Sequence, residues 1–421
     1  MVTPVKRVPI HLQSAQNRLI IKNGTLVNHD GEEEVDIYIE AGELGCLCML
    51  YAENGAIIKE NEMKVLKAGV EGPEGHALAH PEEAQTEAVM RGCVLGNTTD
   101  CPIYLESLMS GAAADILRKR KEKGYVVVGE STAAALAVDG ANYWHKSWSH
   151  SAAHVCTPPL REGEADNLVK AVEDGSLDVI SSHHRAYNSK QKALGNKTFV
   201  EIPDGVPGVE ERLMVLWTKA VVPGRISRSQ FVSLVSSTPA KLLNIYPQKG
   251  RIEVGSDADI LIWDPEQTRT LSKAEHGSKS DFSIYEGLEV TGVPDFVLCR
   301  GRLVKDQEIF RPMQGFGLYR ELEPFSPFIF DKMQEKVEKM KIVRRIVRRD
   351  EEDMPRLNGS TPEEIPPPEP VEEEKPTSQH RSNFDLNSHP DTPDFDEVRA
   401  SPSRSSVRVR APPGGKSSGF W

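Results

Sequence analysis

The sequence predicts an α/β protein: an incomplete (β/α) barrel of about four βα units, flanked by a small β-sandwich built from both ends of the chain and followed by a disordered C-terminal tail. Three observations lead there. Short apolar or β-branched runs alternate with segments of helical periodicity between residues 45 and 248. Runs of strand character recur on both sides of that segment. From about residue 350 the chain turns acidic, proline-rich and poor in apolar residues, a composition that does not offset its ordering entropy. The implied organisation is a flexible leader at 1–16, sandwich strands at 17–44, the partial barrel at 45–248, the rest of the sandwich with a docking segment at 249–330, a basic amphipathic helix at 331–349 and a regulatory tail at 350–421.

The elements follow in order. Arg18 to Val27 and Val35 to Ile39 read as strands, and Cys46 to Tyr51 as the first apolar strand of the barrel segment. Ile57, Ile58, Met63 and Leu66 give Glu53 to Lys67 a helical face, and Pro81 sits at the first turn of a helix running to Cys93. Strands are expected at about 101–106, 125–130 and 177–182, and helices at Ala112 to Lys123, Glu164 to Val172, Val209 to Ala220, Arg228 to Val235 and Pro239 to Ile245. Gly250 to Pro265 (GRIEVGSDADILIWDP) reads as a hairpin: Arg251 to Val254, a Gly-Ser-Asp turn, then Ala258 to Trp263 closed by Asp-Pro. A hairpin alone is marginal in water, so it needs partner strands, and the N-terminal runs and Asp295 to Lys305 are the candidates.

A repeated βα pattern implies a parallel sheet with right-handed crossovers. A closed barrel needs eight such units and about 250 residues, so four make half of one. Composition excludes other classes. No run approaches the roughly 18 apolar residues of a membrane helix, and the first residues hold no apolar signal core. A soluble, cytoplasmic protein with no integral membrane segment is expected. The net charge of −12 argues against bulk nucleic-acid binding. None of the six cysteines forms a CxxC pair, and Cys46-Leu47-Cys48 is too close for easy joint ligation of zinc. No GxGxxG follows a strand.

Several stretches together resemble the dihydropyrimidinase-related group, the collapsin response mediator proteins, within the amidohydrolase superfamily. They are YAENGAIIKE (51 to 60), GPEGHALAHPEEAQTEAV (72 to 89), CPIYLESLMS (101 to 110), DGANYWHKSW (139 to 148), TPPLR (157 to 161), HHRAYNSKQKALG (183 to 195), GVEERLMVLW (208 to 217), YPQKGRIEVGSDADILIWDP and the tail element APPGGKSSG. The resemblance covers nearly the whole chain in order. It implies a β-sandwich flanking a (β/α) barrel whose first half is missing here, since Gly42 to Cys48 passes almost directly into the YAENG strand. An isoform or gene model lacking an internal block is the simplest account.

In the hydrolase relatives the resemblance implies a binuclear metal centre of His-x-His, carboxylated Lys, two further His and an Asp, which lowers the pKa of bound water. No His-x-His occurs in this sequence. The matching positions hold Tyr51, Ser107 and His183, so no catalytic residue, no metal and no cofactor is expected. His183-His184 stand next to each other, and on a strand they would face opposite ways, which favours a loop or hydrogen-bonding role. His76 and His80 are spaced i,i+4 without an HExxH glutamate and read as a helix-edge pair. Tyr143, Trp144 and Trp148 read as core or interface aromatics.

Met333, Val337, Met340, Val343 and Val347 lie at helical spacing, with five basic residues from Lys341 to Arg349, including Arg344 and Arg345. This helix is expected to pack on a neighbouring subunit, the alternative being a helix lying on a membrane surface. Asp350 to Glu374 carries ten acids against one base, and Arg399 to Trp421 five bases and no acid. Thr361, Thr392 and Ser401 each precede proline and are phosphorylation candidates, and Arg404, Arg408 and Arg410 are partner-binding candidates. The resemblance implies a non-catalytic cytosolic adaptor in axon guidance, neurite outgrowth and cytoskeletal organisation. Its implied partners are tubulin or microtubules, signalling kinases, and homo-oligomers or hetero-oligomers with full-length family members. The alternative is a dihydropyrimidinase-like hydrolase acting on cyclic amide C–N bonds.

Overall fold

A computed structural model describes residues 19–28, 31–39, 45–307 and 309–343. The leader at 1–16, Arg344, Arg345, and the tail with Thr361, Thr392, Ser401, Arg404, Arg408 and Arg410 lie outside the described residues. The chain runs through β1 (Leu19–Asn28), β2 (Gly31–Ile39), β3 (Cys48–Tyr51), α1 (Gly55–Lys67), α2 (Glu74–Ala79), α3 (Glu82–Thr98), β4 (Ile103–Glu106), α4 (Gly111–Glu122) and β5 (Val127–Thr132). It continues through α5 (Trp148–Ala153), α6 (Ala165–Glu173), β6 (Val179–Ser181), α7 (Ser189–Lys192), α8 (Arg212–Leu216), α9 (Arg228–Val232) and α10 (Thr238–Leu242). Strands β7 (Ile260–Thr270), β8 (Glu289–Cys299), β9 (Arg302–Asp306) and β10 (Ile309–Phe310) precede α11 (Pro327–Val343). A π-wound turn, Trp217–Val221, extends α8, and another, Ser233–Ser237, joins α9 to α10.

Local chemistry fixes the helix starts. Asn54 caps α1 by accepting from the Ile57 amide, and Ser110 caps α4 by accepting from Ala113. Basic residues Lys119, Arg120 and Lys121 fill the last turn of α4, where the helix dipole favours cations.

Strands β3, β4, β5 and β6 form a four-stranded parallel sheet in chain order. Cys48 pairs with Ile103, Ile103 with Val127, and Glu130 with Val179. Alternate residues therefore split between two faces. Ile103, Leu105, Val127 and Ile180 join one core with Val89 of α3, Leu117 of α4 and Leu168 of α6. Tyr104, Val128 and Val179 face the other way and pack with Leu242 of α10 and with Ile329 and Phe330 of α11. Leu47, Val126, Phe328 and Met333 close around them. Each such side chain contributes about 1.5–3 kcal/mol when fully buried.

The first turns of the amphipathic helix thus pack on the inner face of the chain's own sheet, where a neighbouring subunit was expected. The helix begins at Pro327 because its anchors, Phe328 to Phe330, precede the periodic segment. Lys336 fastens it further, its Nζ donating to the Asn97 carbonyl (3.2 Å) and lying 2.9 Å from Asp100 Oδ1.

The flanking strands differ from expectation. Among the described residues β1 pairs with β2 alone, from Leu19 opposite Ile39 to Asn28 opposite Gly31, while β7–β10 form a separate antiparallel sheet in the order β10-β9-β8-β7. No ladder joins the two, so strands from both ends are not united by pairing. Arg251 to Val254 is not a strand either. Its amides turn instead of pairing, Ser256 N donating to Glu253 O at 3.1 Å, and Ile252 and Val254 stand exposed. Of the two candidate partners, Asp295 to Lys305 is borne out, since Phe296, Val297 and Leu298 of β8 lie opposite Ile262, Leu261 and Ile260 of β7, which runs on past Asp264-Pro265 through an irregular register to Thr268. An edge strand accommodates Pro265 there because its missing N–H removes no ladder bond. Trp263 packs at 5.4 Å from Trp217 and 6.0 Å from Phe231, which seats this sheet on the π turn after α8.

Candidate functional site

The three positions singled out in the sequence lie at one end of the parallel sheet. Tyr51 ends β3, Ser107 follows β4 and His183 follows β6. Four strands laid flat would separate the outer two by roughly 14 Å, yet the Tyr51 and His183 rings stack at 6.4 Å and 22°. The sheet is therefore curved, and its outer strands present side chains over one concavity. Ser107 (φ 52°) and His183 (φ 45°) both occupy the left-handed region, uncommon for residues with a Cβ.

Each strained residue is held from behind. Buried Gln85 of α3 donates from Nε2 to Ser107 O and accepts from Met109 N, both at 3.0 Å, and Ser131 Oγ donates to Leu108 O at 2.7 Å. The Ser107 hydroxyl itself is fully buried and has no hydrogen-bond partner. His183 Nε2 is likewise buried without one, and burial holds this imidazole below its ordinary pKa. His184 serves the loop, as expected: its Nδ1 accepts from the amides of Gly208 (3.1 Å) and Val209 (3.2 Å).

A phenol, an aliphatic hydroxyl and one imidazole are a poor donor set for a pair of divalent ions, which take carboxylates and several neutral imidazoles. Among the described residues no group of three or more His, Cys, Asp or Glu is placed to hold a metal ion. The residues present do not fit the binuclear centre that the resemblance implies.

On the inner face, Glu130 of β5 accepts from Tyr104 Oη and from Ser181 Oγ (2.5 Å). Burial pushes its carboxyl up despite these donors. Arg212 of α8 donates to Ile180 O at 3.1 Å nearby, and burial lowers its guanidinium.

Beside the strand ends lies a buried polar cluster that sequence reasoning missed. His80 Nδ1 is 3.3 Å from the Glu53 carboxylate, both nearly inaccessible. His76 Nε2 donates to Cys156 O at 2.9 Å, and its ring lies 4.4 Å from that of His80. Arg161 donates to His80 O at 2.5 Å. Tyr143 Oη donates to His154 O at 3.1 Å, and Lys192 Nζ donates to Val155 O (2.8 Å) and Pro203 O (2.7 Å). Burial lowers His76 to about 3, His154 to about 4 and Lys192 to about 8, and raises Cys156 to about 12. His76 in the last turn of α2 and His80 at its C-cap are the helix-edge pair expected, but segment 154–161 covers them and both are buried. Tyr143 is core, whereas Trp144 is exposed. Five separate sequence stretches, 51–60, 72–89, 139–148, 157–161 and 183–195, meet in this one cluster. Gly140 shows how tightly: a Cβ there would stand 2.5 Å from Leu160 O.

Comparison with known proteins gives a consistent picture. Residues 74–304 match the amidohydrolase family. The chain is 36% identical over 403 residues to dihydropyrimidinase-related protein 5 of Mus musculus, covering 92% of this chain and 70% of that protein. It is 41% identical over 301 residues to dihydropyrimidinase of Rattus norvegicus, covering 71% of this chain and 58% of that one. The crystal structure of dihydropyrimidinase from Brevibacillus agri superposes with a TM-score of 0.67 at 36% identity, over 68% of this chain and 62% of that chain. A crystal structure of D-hydantoinase gives 0.66 at 37% identity with the same coverage.

Proposed function

Because the chain belongs to the amidohydrolase family, alongside the dihydropyrimidinases and their related proteins, we propose that it is a non-catalytic member acting as a cytosolic adaptor. The observation that carries this reading is the donor set at the strand ends, where Tyr51, Ser107 and His183, which the resemblance matches to metal ligands, offer a phenol, a hydroxyl and an imidazole, and Ser107 Oγ and His183 Nε2 lie buried without partners. The chain spans 62% of the length of the solved dihydropyrimidinase, which fits a sheet of four strands in place of eight. No helix among the described residues is long and apolar enough to cross a membrane. The finer role is in axon guidance and neurite outgrowth through microtubule organisation. The protein works as a homo-oligomer or with longer family members, and its tail is phosphorylated. The competing reading, hydrolysis of a cyclic amide C–N bond, is favoured by the identity with rat dihydropyrimidinase.

Turnover of dihydrouracil and hydantoin, with zinc content of the purified protein, separates the two. The expected result is hydrolysis at the buffer rate, with zinc well below one ion per chain. Two zinc ions per chain with measurable turnover overturns the proposal.

A further inference from the structure

A cavity of about 690 Å³ is lined by the π-wound turn after α8, by α9 and α10 and by the start of β7. Tyr51, Ser107 and His183 are not among its lining residues, so it is separate from the strand ends. Its size lies within the roughly 300–1,000 Å³ of small-molecule sites. Both π-wound turns of the described residues contribute to it, Trp217 from one and Val235 and Ser236 from the other. A π turn gives up the regular helical hydrogen-bond pattern, and such turns recur at functional sites.

The lining is largely apolar. Trp217 and Phe231 meet edge-on at 5.1 Å and 88°, and Trp263 packs against both. Val232, Leu243 and Ile252 also line the cavity and are 47%, 41% and 76% exposed, so apolar surface there is left to be covered.

Four cations and one carboxylate, Asp259, complete the lining. Three of the cations are already engaged. Arg212 donates to Ile180 O, Lys249 lies 3.0 Å from Asp257 Oδ2 and pairs with Asp259, and Arg251 pairs with Glu253 and donates to Tyr246 Oη at 2.9 Å. Arg228 makes no ion pair among the described residues, and its exposed guanidinium lies over the Trp217 ring at 6.0 Å. A guanidinium fork matches a carboxylate through two parallel hydrogen bonds. A doubly charged phosphate would find no second uncommitted cation here. We infer that this cavity binds an aliphatic carboxylate of the fatty-acid class, its head on Arg228 and its chain against Trp217, Phe231 and Trp263.

The test titrates the full chain calorimetrically with octanoate, decanoate and dodecanoate below their micelle concentrations. Affinity is expected to rise about fourfold for each added methylene, as burial of the chain requires. Arg228→Gln is expected to weaken decanoate about tenfold and to leave decanol unchanged. Val232→Glu places a carboxylate at the lining from an exposed position and is expected to abolish binding while the melting curve stays that of wild type. Vesicles of phosphatidylcholine with phosphatidylserine separate a free carboxylate from a lipid surface. The inference is overturned by absence of binding to dodecanoate, by affinities independent of chain length, or by equal decanoate affinity in Arg228→Gln. Association with the vesicles while the monomeric carboxylates stay unbound overturns it as well.

Discussion

The Phe325 amide donates a 2.8 Å hydrogen bond to the Gly45 carbonyl, tying the entrance of α11 to the entrance of β3. The contact is close: a Cβ on Gly45 would lie 2.5 Å from the Phe325 ring. Gly45 also has φ +72°, which a residue with a Cβ adopts only under strain. Phe325 meets Phe330 edge-on at 5.2 Å. Together these contacts lay α11 across the concave face of the parallel sheet.

The first prediction concerns that cover. Phe330→Ala removes a nearly inaccessible ring from the cluster of Tyr104, Val128 and Val179, and is expected to cost about 3–5 kcal/mol. A chain ending at residue 323 is expected to aggregate or bind hydrophobic dyes, because the face is then uncovered. Chemical denaturation of the variant and light scattering of the truncated chain check both. A soluble truncated chain with an unchanged cooperative transition would show that α11 contributes nothing to the sheet.

Acid should weaken the fold through its buried imidazoles. His76 at about 3 and His154 at about 4 both lie below the ordinary 6.5, with burial as the main cause. The neutral forms are favoured in the folded state, so this stability is present above pH 6.5 and is lost as pH falls toward 4 and 3. By pH 4.5 the loss reaches up to about 2–3 kcal/mol for each histidine. Glu130 acts the other way, since burial raises its carboxyl and protonation favours the fold. Comparing wild type with His76→Asn from pH 7.5 to 4.5 cancels that contribution. The variant is expected to lose less stability over this range, and equal losses would remove His76 as the cause.

The tail prediction rests on sequence. Ser401 precedes Pro402 and lies close to Arg404, Arg408 and Arg410. Each phosphate adds about −1.5 to −2 charges at neutral pH, so phosphorylation at Thr392 and Ser401 offsets most of this local positive charge. Microtubule co-sedimentation of wild type, Ser401→Ala and Ser401→Glu at several salt concentrations is expected to show Ser401→Glu weakest and all three weakened by salt. Equal, salt-independent affinities would leave the tail without an electrostatic role.

The strands of the parallel sheet were legible because each is a short apolar run followed by a helical period, and their observed limits fall within a few residues of the expected ones. Arg251 to Val254 misled because alternation alone does not supply a partner; glycines at 250 and 255, both with positive φ, bend the chain away. The burial of the helix-edge pair His76 and His80 was not legible, because nothing near them in sequence reveals that segment 154–161 closes over them. The helix near residue 331 was visible from its periodicity, but its anchoring turn was not, since Phe328, Ile329 and Phe330 are consecutive apolar residues that only a concave sheet makes use of.

The order of residues along the chain also sets an order in time. Tyr104, Val128 and Val179 leave the ribosome well before Phe330, which arrives only after β7–β10 have been made. The nascent protein therefore passes through a stage in which the parallel sheet is synthesised and its apolar hollow has no lid, the kind of surface that chaperones hold and that neighbouring chains stick to. Translation that pauses between residues 181 and 327 prolongs that stage. Yield in a cell then depends on elongation speed and chaperone supply as well as on the stability of the finished molecule.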